Sequence, residues 1–295
     1  MEVTNDLPDI DSQWSYQDPA GSEGAFRELI PRASTSGHEP YLAELFTQIA
    51  RAEGLQGRFD EARADLDRAE SLIGPADIRP RIRLLLERGR VLNSSGQPAE
   101  AKPVFLAAFE LALRSPEEFL AIDAAHMVAI VEGPEEALAW NLRALNMARQ
   151  AKDERAAGWQ GSLYNNIGWT CHDLKRYGDA LEYFEAGLAF QLQRGREREA
   201  RIAAWTVGRC LRSLGRMPEA LALQLENLET ATAAGDPGGF IEEEIGECLL
   251  ALGREPDAKQ HFVRAFEALS RDAWLSEHEP ARIQRLRELS RSDGS

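Results

Sequence analysis

Long apolar segments and the short motifs of common enzymes are absent from this sequence. No run of apolar residues is long enough to span a bilayer. Residues 1–14 lack the basic and apolar regions of a secretory signal, so we expect no membrane partner and a cytoplasmic location. The sequence has no HExxH, no CxxC, no glycine-rich phosphate loop followed by Lys and no nucleophile elbow. These absences argue against an enzyme and predict no bound metal or other cofactor.

Positive charge is also scarce. Lysines are few, the formal net charge is -15 and the isoelectric point is about 4.9. In the stretch RGREREAR (194–201), arginines alternate with glutamates, whereas a nucleic-acid site needs clustered basic residues with interleaved aromatics. We therefore expect no nucleic-acid partner, because an acidic chain is repelled by the phosphate backbone.

The sequence has only three cysteines, Cys171, Cys210 and Cys248, which lie 39 and 38 residues apart. Each is expected near the middle of a helix, and the three helices should be neighbours in a stack. Packed helices lie about 8–10 Å apart, which is farther than the roughly 7 Å that a disulfide allows between Cα atoms. The cysteines are therefore predicted to be small buried residues rather than a redox or metal site.

A pattern that recurs six times is the main feature present. Its fixed points are alanines 36 to 43 residues apart, at Ala62, Ala101, Ala137, Ala180, Ala220 and Ala258. A small residue lies twelve positions before each alanine: Ala50, Gly89, Ala125, Gly168, Gly208 and Gly246. Four positions after each alanine are Leu66, Phe105, Asn141, Phe184, Gln224 and Phe262. Self-similarity at this period predicts a solenoid of stacked units.

Each repeat is predicted to hold a first helix, a tight turn and a second helix. The turns share a form, as in GRFDEA, GQPAEA and GRMPEA, in which glycine caps the first helix. Proline at 98, 134, 218 and 256 suits the start of the second helix. We expect the small residue to let the two helices cross closely, with the alanine facing it and the larger side chains filling the space toward the next repeat.

These motifs resemble the tetratricopeptide repeat. The resemblance rests on Gly168, Ala180 and Phe184 with Tyr164 and Ile167, and likewise on Gly246, Ala258, Phe262 and Ala265. It covers roughly residues 40–270 and is closest to the long-repeat branch found in kinesin light chains and bacterial peptide-sensing regulators. The repeats are longer than the usual 34 residues, and Asn141 and Gln224 replace an aromatic residue.

The resemblance implies an all-α fold, a right-handed α-solenoid of about six helix-turn-helix repeats with a leading helix and a C-terminal capping helix. We predict an acidic N-terminal arm with a short helix over residues 1–38 and a capping helix with a frayed tail over 278–295. The array between them, residues 39–277, divides into repeats at about 39–78, 79–114, 115–152, 153–195, 196–235 and 236–277.

In this family the first helices of the repeats line a concave groove, and the repeat register assigns residues to it. The residues expected in a peptide-binding groove are Asn165, Asn166, Arg90, Arg209, His126, Trp169, Asp123 and Glu87. An asparagine amide can both donate to and accept from a peptide backbone, and the family's clamping asparagine corresponds here to Asn165 and Asn166. Arginines can grip carboxylates with two bonds.

Each of these assignments has an alternative. Arg90 can instead pair with Glu87 or Asp123 across neighbouring repeats, and the tryptophans can serve as packing between repeats. Asp123 and His126 share a helix face and, with His172, can be imagined as a base or a metal site. We favour a polar groove wall over that interpretation.

The sequence therefore predicts a non-catalytic module that binds a protein or peptide segment in its groove, as an adaptor or scaffold. One alternative is a peptide-sensing regulatory protein that acts on a separate effector. Another is a self-assembling structural scaffold. The N-terminal arm carries Trp14 and Tyr16, so self-association through the arm, or occupation of the groove by the arm, is also open.

Overall fold

The computed structural model describes residues 7–291, whose regular secondary structure is entirely helical, without a strand. The first six residues of the predicted arm and the last four of the predicted tail lie outside the described residues. A short 3-10 helix, Asp11–Gln13, precedes sixteen α-helices. Their bounds are α1 Pro19–Ser36, α2 Glu39–Leu55, α3 Phe59–Leu72, α4 Ile78–Ser94, α5 Pro98–Leu113, α6 Glu118–Ile130, α7 Pro134–Gln150, α8 Glu154–Gly158, α9 Gln160–Asp173, α10 Tyr177–Gln193, α11 Glu197–Ser213, α12 Met217–Ala233, α13 Gly239–Ala251, α14 Glu255–Leu269, α15 Ala273–His278 and α16 Pro280–Arg291.

Six helix pairs make up the array: α2–α3, α4–α5, α6–α7, α9–α10, α11–α12 and α13–α14. The two helices of a pair are joined by short turns, such as residues 56–58 between α2 and α3. The first helix in most pairs ends in a left-handed residue, as at Gly57 with φ 75°, which only glycine adopts without steric cost. The fourth pair has Lys175 there, with φ 60°. The predicted all-α repeat fold is confirmed.

The small residue of each first helix allows close packing, but its nearest neighbour differs from our expectation. A Cβ on Gly168 would lie 2.5 Å from the Phe184 ring, and one on Gly246 would lie 2.7 Å from the Phe262 ring. The large side chain four residues after the alanine therefore packs on the glycine of its own pair. The alanine is a buried neighbour rather than the closest one, because the flat ring fills the space that the missing Cβ leaves.

The chain divides into two compact units, with the boundary between Trp159 and Gln160. In the first, unit 1, the leading helix α1 packs on α2 and buries Phe26 against Leu45 and Ile49. In the second, unit 2, α16 packs on α14 and buries Leu286. The sequence did not indicate this boundary, which falls where the first helix of the fourth repeat is interrupted between α8 and α9.

The predicted repeat ranges remain predictions as domain boundaries, although the six helix pairs fall in or close to them. The prediction that the cysteines are buried is confirmed for Cys171, Cys210 and Cys248, all of which are free. Burial raises the pKa of Cys210 and of Cys248 to about 11, so neither thiol is a reactive thiolate at neutral pH. Among the described residues, no helix is both long and apolar enough to cross a membrane.

Candidate functional site

The first helices of successive pairs lie side by side within each unit, α2 with α4 and α4 with α6 in unit 1, and α9 with α11 and α11 with α13 in unit 2. We call these two layers the first-helix surface of each unit. The predicted groove residues divide between them. Unit 1 carries Glu87, Arg90, Asp123 and His126, and unit 2 carries Asn165, Asn166, Trp169 and Arg209.

In unit 1 the charged groove residues are bound to one another. Arg90 donates to both carboxylate oxygens of Asp123, at 2.5 and 2.7 Å, and to Glu87 at 2.5 Å. Burial opposes the charge on Arg90, but the carboxylates of Asp123 and Glu87 outweigh it and raise the pKa of Arg90. Burial acts to raise the pKa of Asp123, and the guanidiniums of Arg90 and Arg51 reverse the shift and lower it. This is the pairing that the sequence left open as the alternative to ligand contact.

The imidazole of His126 has its hydrogen-bonding partner in Asn141. The His126 Nδ1 atom lies 3.3 Å from Asn141 Oδ1, and its ring lies against Trp159. Burial lowers the pKa of His126 despite the bond to Asn141. Asn141, which replaces the aromatic residue of the pattern in the third repeat, thus serves as a polar partner for a half-buried imidazole. Within residues 7–291, no group of three or more His, Cys, Asp or Glu could hold a metal ion.

The segment that precedes α1, residues 7–18, lies on the first-helix surface of unit 1, and we call it the arm segment. Its indole Trp14 Nε1 donates to Gln48 Oε1 at 2.9 Å. The rings of Trp14 and Tyr16 stack with centroids 4.9 Å apart. The Arg51 guanidinium lies over both rings, 5.6 and 5.4 Å from their centroids. Gln48 and Arg51 lie on α2, the first helix of the first repeat, so the arm segment covers part of the layer of first helices that was predicted to line the groove.

Asp11 anchors the arm segment to three arginines. Both of its oxygens accept from Arg83 Nη2 at 2.7 Å, and Oδ2 accepts from Arg155 at 2.8 Å and lies 3.5 Å from Arg79. Burial would raise the pKa of Asp11, but the guanidiniums of Arg83 and Arg155 lower it overall. Sequence reasoning missed Asp11, Arg83 and Arg155. Only the acidic character of the arm carried a signal for them.

In unit 2 the paired asparagines line an open cavity of about 250 Å³ between α9, α10 and α11. Asn165 Nδ2 donates to Asn166 Oδ1 over 3.4 Å, a long bond that a ligand could replace. The same cavity is lined by Ile202, whose side chain is 52% exposed, and by Gln191. The Gln191 Oε1 atom is buried and accepts no hydrogen bond from the described residues.

A second cavity of about 440 Å³ lies beside the first and shares Ile202 with it. It is lined by the aromatic rings of Trp205 and Phe240, whose centroids are 6.0 Å apart. Trp205 Nε1 donates to the Phe240 carbonyl at 3.1 Å, and Phe240 is 39% exposed. The two cavities place amides and exposed apolar groups side by side on the first-helix surface of unit 2, a combination that we call the amide–aromatic cleft.

Trp169 and Arg209 lie in the same unit, and their side chains already contact other residues of unit 2. Trp169 packs edge-on against Phe184 and His172. Arg209 donates to Glu244 at 2.6 Å, and Arg212 donates to the same carboxylate at 2.7 and 3.0 Å. A cavity of about 360 Å³ is lined here by four arginines and four glutamates. Its charges are paired internally, as in unit 1.

The fifth repeat shows why a polar residue can replace the aromatic. Gln224 lies against Gly208, and its Nε2 donates to the Trp205 carbonyl at 3.0 Å. Asn227 likewise donates to the Arg201 carbonyl at 3.0 Å. A larger cavity of about 550 Å³ lies between α10, α11 and α12. Leucine and alanine side chains make up much of its wall, and the polar residues Glu197, Arg201, Glu226, Asn227 and Thr230 complete it.

Comparisons with known proteins agree with this architecture. Residues 161–193, which form α9 and α10, match the family model of the tetratricopeptide repeat. No curated protein sequence is significantly similar to the chain. The apo form of RapI has 14% identity and a TM-score of 0.76, with 97% of this chain and 79% of that chain covered.

Two further solved structures have the same fold. A STAND protein with a tetratricopeptide repeat sensor from Pyrococcus horikoshii has 15% identity and a TM-score of 0.68, with 91% of this chain covered. This chain spans 41% of the length of that protein. A Rap protein complexed with competence and sporulation factor has 17% identity and a TM-score of 0.52, with 95% of this chain and 88% of that chain covered.

Proposed function

Because this chain has the fold of a tetratricopeptide repeat protein, we propose that it is a non-catalytic interaction module that binds an extended protein or peptide segment in the amide–aromatic cleft of unit 2. The observation that carries the proposal is the pair Asn165 and Asn166, whose amides line an open cavity beside exposed apolar groups. The proposal places the protein in the cytoplasm and gives it no cofactor.

The chemistry of the cleft suits a peptide backbone. A side-chain amide donates to a carbonyl and accepts from an N–H, so adjacent asparagines on α9 can hold the backbone of an extended segment. Gln191 lines the same cavity and adds a third side-chain amide to its wall. The bond between Asn165 and Asn166 is long, so its replacement by ligand bonds costs little.

The aromatic part of the cleft suits an apolar ligand side chain. Ile202 and Phe240 expose 52% and 39% of their surfaces, and Trp205 lies between them on α11. Covering such a surface with a ligand side chain removes apolar area from water, which is favourable by about 25 cal/mol per Å². The cleft therefore favours a segment with one or two apolar side chains close to its contact with the asparagines.

Solved structures of the same fold support a peptide-type ligand. The Rap protein was solved in complex with competence and sporulation factor, and the STAND protein carries its tetratricopeptide repeats as a sensor. The same comparison favours a second candidate, a sensor whose ligand-bound form acts on a separate effector. Both candidates require a ligand in the cleft and differ in the consequence of binding.

Selection of binding peptides tests the proposal. A phage-displayed library of random twelve-residue peptides is selected on the full chain, and the affinity of the selected peptides is measured by fluorescence anisotropy. Two lost hydrogen bonds of about 1 kcal/mol each correspond to roughly a thirtyfold loss, so we expect Asn165→Ala/Asn166→Ala to weaken binding strongly. Trp205→Leu should weaken it as well.

The matched control is Asn146→Ala, which removes an exposed asparagine on α7 in unit 1. It should leave the affinity within about twofold. Selected peptides that bind the double asparagine variant as well as the parent chain would place the binding surface elsewhere. A well-folded chain that selects no peptide would contradict the proposal itself.

A further inference from the structure

The arm segment completes the charge balance of a cluster on the first-helix surface of unit 1. Three guanidiniums, Arg79, Arg83 and Arg155, meet three carboxylates, Asp11, Glu44 and Glu117. Asp11 is the only one of the six that belongs to the arm segment. When the arm segment leaves, three positive groups face two negative ones.

The positive charge is centred on Arg83. With the arm segment docked, its side chain is only 5% exposed; it donates two bonds of 2.7 Å to Asp11 and lies 3.0 Å from Glu44. When the arm segment leaves, Arg83 keeps Glu44 but loses the carboxylate that accepts two of its bonds. The surface beneath the arm segment therefore favours an anionic group at this point, and a carboxylate matches the planar fork of a guanidinium.

Beside this charged cluster, the first-helix surface of unit 1 contacts the aromatic ring of Trp14. The Gln48 residue is 1% exposed, and its Oε1 accepts from the Trp14 indole. Arg51 supplies a cation over the two stacked rings. This exposure is that of Gln48 beneath the docked arm segment; removal of the indole would take the amide oxygen's partner away, so the position favours a ring with an N–H or O–H donor.

The arm segment is held by few groups. Ile10 is buried in the core of Phe26 and Leu45, and Leu7 and Trp14 pack against the same core. The polar contacts are those of Asp11 and Trp14 and a bond of 2.9 Å from the Tyr41 hydroxyl to the Pro8 carbonyl. Tyr16 is 58% exposed, and residues 15–18 are all exposed. A segment with so few buried side chains belongs to the least stable part of a fold, so its departure from the surface is expected to cost far less than unfolding.

We propose that the arm segment is a resident self-ligand of a second peptide site on unit 1. In this proposal the site accepts a partner segment with an apolar residue followed by an acid and, three residues later, a tryptophan. The partner must displace the arm segment before it binds. This site is separate from the amide–aromatic cleft and does not depend on the function proposed for the cleft.

A synthetic peptide with the sequence of residues 7–18, LPDIDSQWSYQD, is the probe. It is labelled with fluorescein, and its affinity for the full chain is compared with that for Asp11→Ala/Trp14→Ala, which removes the two polar side-chain anchors but leaves the surface intact. If the resident arm segment occupies the site more than about 90% of the time, the variant should bind the probe at least tenfold more tightly than the parent chain.

Two controls define the site. The probe with both anchors replaced, LPDINSQASYQD, should not bind the variant. Adding Arg155→Ala to the double variant should reduce the gained affinity, since Arg155 is half exposed and bonds to Asp11. Adding Asn166→Ala should not change it, because Asn166 belongs to the cleft of unit 2. Loss of binding in the Asn166→Ala background would assign the probe to the cleft instead.

Equal or absent binding by the parent chain and the folded double variant would overturn the proposal and make the arm segment a permanent brace of unit 1. A second measurement does not need the variant. In the 15N-labelled parent chain, excess unlabelled probe should shift the Trp14 indole N–H resonance toward that of a solvent-exposed indole. A resonance that stays unchanged at saturating probe would equally overturn the proposal.

Discussion

The first-helix surfaces of the two units come from the same repeat positions but present opposite states. In unit 1, Arg90 is bound by Asp123 and Glu87, and the arm segment covers Gln48 and Arg51. In unit 2, the asparagines and the aromatic groups of the amide–aromatic cleft stay open. A repeat register thus assigns residues to a surface, whereas charge pairing and a segment outside the repeats decide whether the surface is available.

The second helices offer a parallel contrast. A phenylalanine covers the small residue of the first helix in the second, fourth and sixth pairs, whereas Gln224 takes that place in the fifth pair and bonds to a backbone carbonyl. The glycine contact tolerates either a ring or an amide, because both are flat. This tolerance lets one repeat bind its own backbone with a polar group while its neighbours rely on apolar packing.

The largest effect is expected from the packed rings, Phe105 in unit 1 and Phe184 in unit 2. Replacing either with alanine should reduce the local free energy of unfolding by about 3–5 kcal/mol, since both are buried on a glycine. Hydrogen exchange should increase mainly in the unit that carries the change. Leucine at either position is the control and should cost less than about 1.5 kcal/mol. Equal acceleration in both units would show that their stabilities are not separate.

The next largest effect is expected from arginine substitutions, which should destabilise unit 1 more than unit 2. Arg83→Met should cost about 2 kcal/mol, because it removes the most buried guanidinium of the cluster and leaves to Asp11 and Glu44 only the more exposed Arg79 and Arg155. Arg209→Met should cost less than about 1 kcal/mol, since Arg209 is 34% exposed and Glu244 keeps Arg212. Urea unfolding measures both. A larger loss in Arg209→Met than in Arg83→Met would reverse the comparison.

Gln224→Phe should instead increase the free energy of unfolding, by a smaller amount. The ring would lie on Gly208 as Phe184 lies on Gly168, and the buried Gln224 Oε1, which has no hydrogen-bond partner among the described residues, would disappear. We expect a gain of about 1 kcal/mol in the free energy of unfolding, relative to a loss of about 1 kcal/mol in Gln224→Ala. A destabilised Gln224→Phe chain would show that the fifth pair is too tightly packed for a ring.

The smallest effect is expected from lowering the pH, which should weaken the docking of the arm segment. The pKa of Asp11 is lower in the docked arm than its usual value near 3.8, so its contribution to docking is fully present above that value and is lost as the pH falls through the lowered pKa. The Trp14 indole N–H resonance should therefore stay constant between about pH 7 and pH 5 and change only below about pH 4. The unit 2 tryptophan Trp205 should show no matching change. A transition of the Trp14 resonance near pH 6 would assign the effect to a histidine instead.

Much of the fold could be predicted because its signals are local. The six alanines and their small partners gave the number of helix pairs, and the glycines and prolines of the turns gave their junctions. The candidate site was harder to predict from the sequence. Asn165 and Asn166 were predicted from the register and do line a cavity, but the roles of all eight predicted residues toward a ligand remain predictions. Asp11, Arg83, Ile202 and Phe240 were missed, because nothing in their neighbouring residues distinguishes them.

The sequence by itself determined the repeating helix pairs, the buried cysteines and the residues that belong to the first helices, because a helical period and a close helix crossing are set by residues within one repeat. Only the tertiary structure decided which of those residues are free. That choice depends on ion pairs such as Arg90 with Asp123, 33 residues apart, and Arg155 with Asp11, 144 residues apart. Contacts at such separations are set by the stacking of whole helices, so the composition of a single repeat does not encode them.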